Sequence, residues 1–164
     1  MAKISFKGAE EYAEALKRLE FTAEQGTLLE DAAKAGAGPV ADEIRRRLRF
    51  LPADDYRRLE PDEKFVGIPR EQKTDLLVSL GVTPVGRDKK GFVNVKVGFD
   101  GYGSQPTKAY PKGLPNQLLA RAVESGSSVR EKTPFVRPAV NATRKRAVEE
   151  MEKSITDGLK KIFE

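Results

Sequence analysis

Apolar residues recur at every third or fourth position over most of this chain and at alternate positions over one central stretch, and these two periods set out its elements. Ile4 and Phe6 alternate with polar neighbours, which predicts a short strand. From Ala9 the period lengthens, and Tyr12, Leu16 and Leu19 mark one face of a short helix carrying a favourable Glu14/Arg18 pair. Thr22 with Gln25 forms a capping-box pattern that opens a second helix, with Leu29, Ala33, Val40, Ile44 and Leu48 as its apolar face. Gly36, Gly38 and Pro39 interrupt that face, because proline lacks a backbone donor and crowds the preceding turn. The expectation is a kinked helix or two helices in line. The Ala and Gly positions at 32–38 leave room for close approach of another helix, from the same subunit or a neighbour.

Residues 50–68 show neither period, and two prolines, Pro52 and Pro61, flank a charged run. They read as a surface insertion with at most a helical turn near Asp55–Leu59, or as a functional arm. Pro69 suits the first position of a third helix, with Leu76, Leu77 and Leu80 on its buried side and Gly81 as its C-terminal cap. The clearest β signal follows. Val82–Val85 is one short strand, Arg87–Gly91 a turn, and Val93, Val95, Val97 and Phe99 alternate with Asn94, Lys96 and Gly98, giving a hairpin with one apolar face. Residues 100–116, rich in Gly, Pro and Tyr, read as an irregular loop. Leu118, Leu119, Ala122 and Val123 suit a short helix, or a strand, running into Glu124-Ser125-Gly126-Ser127. From Pro138 to the end, Val140, Ala147, Met151, Ile155, Leu159 and Ile162 recur at helical spacing, as in a helix lying across a sheet or against a neighbouring subunit. The fold class expected is α+β: a single domain over 1–164 in which a small antiparallel sheet containing the central hairpin packs against helices, with a long C-terminal helix.

Composition narrows the chemistry. The 164 residues contain no Cys and no His, which removes disulfides, thiolate catalysis, Ser-His and Cys-His nucleophile systems and His-based zinc sites. No apolar run is long enough for a signal peptide or a membrane span, so a soluble protein without a membrane partner is expected. The net charge is +5 and unevenly placed: residues 1–100 are balanced, whereas 101–146 set nine Lys/Arg against Glu124 and Glu131. Such a zone could meet phosphate backbones or an acidic protein surface, or be a solvated face.

Candidate reaction centres do not converge. Asp54-Asp55 and Asp62-Glu63 are sequence neighbours, which do not face one another as paired acids must, and they read as loop solvation. Gly98, Gly101 and Gly103 stand in the wrong order for a dinucleotide fingerprint. The triplets Arg45-Arg46-Arg47 and Arg144-Lys145-Arg146 point around helix axes, and Tyr102 and Tyr110 with Lys108 and Lys112 make only a faint single-strand-binding mixture. Glu124 lacks a second group for acid-base work. Arg137, just before Pro138 at the start of the last helix, sits where the macrodipole disfavours a cation by roughly 0.3–1 kcal/mol. Either an intrachain ion pair, for which Glu124 is the candidate, or a contact across a subunit boundary should compensate it. Gly126 is expected at positive φ, and Phe135, flanked by Pro134 and Val136, in the core.

The run Leu119–Ala142, with Val123-Glu124-Ser125-Gly126-Ser127-Ser128 and Thr133-Pro134-Phe135-Val136-Arg137-Pro138, resembles the signature region of small tail-component proteins of long-tailed bacteriophages and prophages, called head-tail joining, neck or tail completion proteins. The similarity extends to Lys3-Ile4-Ser5-Phe6-Lys7-Gly8, to Leu80–Val85 and to Gly91–Phe99. The resemblance implies a structural virion protein of the tail or neck, assembled in the host bacterial cytoplasm, with no enzymatic activity and no cofactor. It implies a homo-oligomeric ring, a hexamer by analogy with the sixfold tail, docked to the tail tube and head-tail connector proteins, with DNA as a contact in passage. Glu124, Gly126, Ser127, Phe135, Arg137 and Pro138 are the candidate assembly contacts, and the 50–68 and 100–116 loops the candidate arms. The competing reading is a nucleic-acid-binding module using the basic 101–146 region.

Overall fold

A computed structural model describes residues 23–55 and 58–163; the expected first strand, the first helix and the Thr22 cap lie outside the described residues. The chain runs α1 (Ala23–Phe50), β1 (Ala53–Asp54), β2 (Ile68–Pro69), α2 (Arg70–Ser79), β3 (Leu80–Val82), β4 (Gly86–Arg87), β5 (Val93–Asn94), β6 (Val97–Phe99), α3 (Asn116–Ser125) and α4 (Val136–Phe163). It is an α+β fold with small antiparallel ladders and a long C-terminal helix.

The two 28-residue helices α1 and α4 form its frame. They run antiparallel, since Leu28 meets Gly158 near one end and Gly36 meets Met151 and Ala147 further along. Small residues make this possible: a Cβ on Gly36 would stand 2.6 Å from Met151 Cγ and 3.2 Å from the Ala147 carbonyl, and one on Gly158 would collide with Leu28 Cδ1. The expected close approach at 32–38 is therefore present, and its partner is the chain's own last helix. Pro39 lies inside a helix that continues through it, rather than dividing two helices in line. The buried face of α1 is Leu28, Ala32, Ala37, Ala41, Ile44 and Leu48, whereas Leu29 is 51% exposed. The face expected for its first half is thus displaced by one residue, and it is Leu28, not Leu29, that packs over Gly158 of α4. On α4 likewise, Ala139 and Thr143 are buried and Met151 is exposed.

One end of this helix pair carries the main core. Ile44 and Leu48 of α1 meet Ile68, Leu76, Leu80, Phe99, Leu119, Val123, Phe135 and Ala139, and the Phe99 and Phe135 rings meet edge-on with centroids 6.0 Å apart. Burying a side chain of this size contributes about 1.5–3 kcal/mol. α2 begins at Arg70, with Pro69 as its N-cap in β2 rather than as the expected first helical residue, and ends on Leu80 in an extended conformation. Gly81 therefore lies in β3 and does not cap the helix.

The hairpin is broken into two ladders. β3 pairs antiparallel with β6 in the register Leu80/Phe99, Gly81/Gly98, Val82/Val97, and β4 with β5 in the register Gly86/Asn94, Arg87/Val93. Between them the Thr83 hydroxyl accepts from Lys96 N, at 3.0 Å, in place of a backbone carbonyl. Val85 follows rather than joins the first strand, and Arg87 belongs to the second ladder instead of the turn. At the tip Asp88 Oδ1 accepts from Lys90 N and Phe92 N, holding Phe92 outward and 67% exposed.

Neither long loop is a free strand of chain at its base. The 50–68 loop is closed by a short parallel pairing of β1 with β2, with Ile68 N donating to Pro52 O at 2.9 Å and Lys73 Nζ to Leu51 O at 2.9 Å. The 100–116 loop crosses itself where Gly103 N donates to Leu114 O at 2.8 Å; any side chain on Gly113 would run into the Gly103 carbonyl.

Candidate functional site

The Glu-Ser-Gly-Ser segment builds a joint between the last two helices. α3 ends at Ser125, and Gly126, at φ 79° and ψ 169°, turns the chain away in a conformation that a side chain would strain. Ser127 and Arg130 then exchange backbone hydrogen bonds of 2.9 and 3.4 Å, and Thr133 N returns to Val123 O at 2.9 Å. The chain therefore doubles back beside the end of α3 and delivers Phe135 into the core, fully buried, immediately before α4.

The first turn of α4 exposes backbone N–H groups that no side chain of Thr133, Pro134 or Phe135 reaches, and a distant acid supplies the acceptor. Glu124 Oε2 accepts from Phe135 N at 2.7 Å and Val136 N at 2.8 Å, and its Oε1 accepts from Arg137 N at 3.0 Å. The carboxylate thus acts as an N-cap reaching across from another helix, and its negative charge lies at the positive end of the α4 dipole. Glu124 engages the backbone of Arg137, not its guanidinium. That guanidinium is exposed and forms no hydrogen bond or ion pair among the described residues, so of the two alternatives the intrachain pair with Glu124 is not formed.

A groove of about 490 Å³ runs along this joint, lined by Glu124, Ser125, Lys132, Pro134, Arg137, Pro138 and Asn141. Both Glu124 oxygens are occupied from inside, while Lys132 and Arg137 present positive charge. Of the six candidate contacts, Glu124, Arg137 and Pro138 line the groove, Ser127 lies exposed just beyond it, and Gly126 shapes the turn. Phe135 has no surface to offer a partner.

Arg130 is the functional-looking residue that the sequence pattern hides among other cations. It is only 5% exposed; its guanidinium donates to Gly67 O at 2.7 Å and Gln72 Oε1 at 2.6 Å and lies 5.9 Å over the Phe65 ring. Phe65 is in turn fastened by its backbone, donating to Val129 O at 3.0 Å and accepting from Glu131 N at 2.9 Å. Arg130 therefore ties the end of the 50–68 loop to the joint and is withdrawn from the basic surface.

The other clusters are local. Arg46 and Arg47 clasp Glu43 one turn back at 2.6–2.7 Å, and Arg45 pairs with Asp42 at 3.0 Å. The Arg46 hydrogen bond, with Arg47 in support, lowers the Glu43 carboxyl from its ordinary value of 4.5 to about 2. Glu63 Oε2 accepts from Glu60 N at 3.0 Å, Asp54 Oδ1 accepts from Asp55 N at 2.9 Å, and Asp55 Oδ1 lies 3.7 Å from Arg70 Nε at the start of α2, so the acids of the 50–68 loop serve the loop and its junction with α2. Among the described residues no three His, Cys, Asp or Glu side chains gather as a metal cluster, and no helix is long and apolar enough to cross a membrane. No family model, curated protein or solved structure matches the chain.

Proposed function

We propose that this protein is a structural component of a bacteriophage or prophage virion, acting at the head-tail junction as a neck or tail completion protein that assembles into a ring and docks to the tail tube or connector. The observation that carries the proposal is the joint itself. Glu124 fixes the direction of α4, and the same geometry leaves the Arg137 guanidinium on the rim of a groove with no partner among the described residues. The Glu124 carboxylate already faces the positive end of the α4 dipole with its oxygens taken by backbone N–H groups, so the exposed Arg137 guanidinium is open to a partner carboxylate, which suits a head-to-tail contact repeated around a closed ring. Exposed apolar residues beyond the groove, including Phe92 at the hairpin tip and Val78 at 81% exposure, supply further docking area. The motif order that resembles the tail-component family supports the same reading.

Electron microscopy of purified tail tubes and connectors mixed with the protein tests it. Added density capping one end of the tube or the connector is expected; unchanged particles, together with tight and steeply salt-dependent binding to DNA, would transfer the function to nucleic-acid binding.

A further inference from the structure

Two glycines lie directly opposite one another on the outer face of the β3–β6 ladder. Side chains alternate between the faces of a strand, and Leu80 and Phe99 are buried in the core, so their neighbours Gly81 and Gly98, paired in the same register, face outward. Neither glycine has a positive φ, and a Cβ added to either would meet no atom within 4 Å. Nothing in the turn of the chain or in its own packing therefore requires a glycine at these positions. Glycine inside a strand weakens it, and its use there marks the close approach of another group to the backbone.

The space over the pair is a trough of about 580 Å³. Thr83 N donates to Lys96 O at 2.8 Å and Asp100 N to Ser79 O at 3.1 Å, which continues the ladder by one residue at each end. The outward positions thus run from Thr83 and Lys96, over the bare backbone of Gly81 and Gly98, to Ser79 and Asp100, and all six line the trough. A flat floor of peptide groups between a cation and a carboxylate suits a planar ring carrying the opposite charges on its flanks, and aromatic rings are what sheets use to cover exposed glycines.

The chain carries such a ring at the far end of the same hairpin. Phe92 is 67% exposed, and Asp88 Oδ1 holds the tip in shape by accepting from Phe92 N at 2.9 Å and Lys90 N at 2.8 Å. The ring is flanked by Asp88 and by the exposed Lys89 and Lys90, while Arg87 lies 3.7 Å from Glu30 of its own chain. On the reading that copies of this chain assemble, we propose that the hairpin tip of one copy docks in the trough of the next, with Phe92 over Gly81 and Gly98, Asp88 toward Lys96 and the two lysines toward Asp100. Knob and trough are different surfaces of one protomer, which is what a head-to-tail contact requires. One ring buries about 150–250 Å², well below the ~1,200 Å² of a stable interface, so this contact acts together with the one at Arg137.

The chain contains no Cys, so introduced thiols report a single contact. Copies carrying Phe92→Cys mixed with copies carrying Gly98→Cys should form a disulfide-linked dimer under mild oxidation about tenfold faster than Phe92→Cys mixed with Val148→Cys, an exposed position on α4. Phe92→Ala and Gly98→Val, the second of which places a side chain in open space without backbone strain, should each weaken self-association by roughly tenfold or more in analytical ultracentrifugation, with no loss of Tm. A ring that assembles equally well with both variants and shows no preferred crosslink would overturn this contact and leave ring assembly standing; a chain that stays single and shows no crosslink would overturn both. Loss of docking to tail tubes or connectors in Gly98→Val, with self-association intact, would give the trough to a different virion protein and would likewise overturn the proposal.

Discussion

Replacing Glu124 by Gln removes one charge and almost no volume, and it separates the cap from simple packing. The carboxylate accepts three backbone hydrogen bonds, at 2.7, 2.8 and 3.0 Å, from N–H groups that have no helical partner of their own. A hydrogen bond to a charged group is worth about 1.5–3 kcal/mol, N-cap deletions cost about 0.5–2 kcal/mol, and a partly buried charge at a helix end adds up to ~2 kcal/mol. These overlap, because two of the three bonds share Oε2. Glu124→Ala should therefore lose about 2–4 kcal/mol, which corresponds to a fall in Tm of roughly 5–15 °C for a chain of this size. Gln keeps a single acceptor oxygen and turns an NH₂ group toward at least one of the same N–H donors, so its loss should be nearly as large, about 1.5–3 kcal/mol. Urea unfolding followed by circular dichroism gives the free energies, and amide exchange at Phe135, Val136 and Arg137 locates them. Glu124→Gln within about 0.5 kcal/mol of the parent, with unchanged protection of those three amides, would refute the capping role.

Arg137→Ala should leave stability unchanged or raise it by roughly 0.3–1 kcal/mol, since it removes an exposed cation from the positive end of α4, while subunit assembly weakens; a large loss of stability would mean that its guanidinium has an internal role. Phe135→Ala should cost about 3–5 kcal/mol by urea titration, because a fully buried ring in edge contact with Phe99 leaves a cavity behind. The Glu43 carboxyl should titrate near 2 by carbon-detected NMR. Its folded-state value lies below the ordinary 4.5, so its stabilising contribution is complete above 4.5 and is lost as pH falls toward about 2; Glu43→Gln should flatten that part of the acid stability profile.

Periodicity and local rules made much of this fold legible. Gly126 could be placed at positive φ because a helix had to stop there and turn, and Phe135 in the core because prolines fix the chain on its approach. The small residues near Gly36 announced a close helix contact, although not which helix would make it. What escaped depends on distance along the chain. Glu124 acts on residues 11 to 13 positions further on, and the available sign was a helix beginning at Val136 with no Ser, Thr, Asp or Asn at its own cap. Arg130 reaches Gly67 and Gln72, 63 and 58 positions back, and looks like any surface cation in the sequence. The α1 face came out one residue off because apolar counting does not choose between the adjacent Leu28 and Leu29, and it is Leu28 that packs over Gly158 of α4. Gly81 resembles a cap, but the chain passes from α2 into β3 through an extended Leu80 without a left-handed step.

Under the proposed function, this protein acts by fitting against copies of itself and neighbouring virion parts. Native mass spectrometry of the full-length protein over a concentration series, with negative-stain electron microscopy of the same samples, tests it most directly. A closed ring of one fixed subunit number, lost in Arg137→Ala while the protomer stays folded, is the expected result; a protomer that remains single at the highest concentration and in the presence of tail tubes and connectors would contradict it.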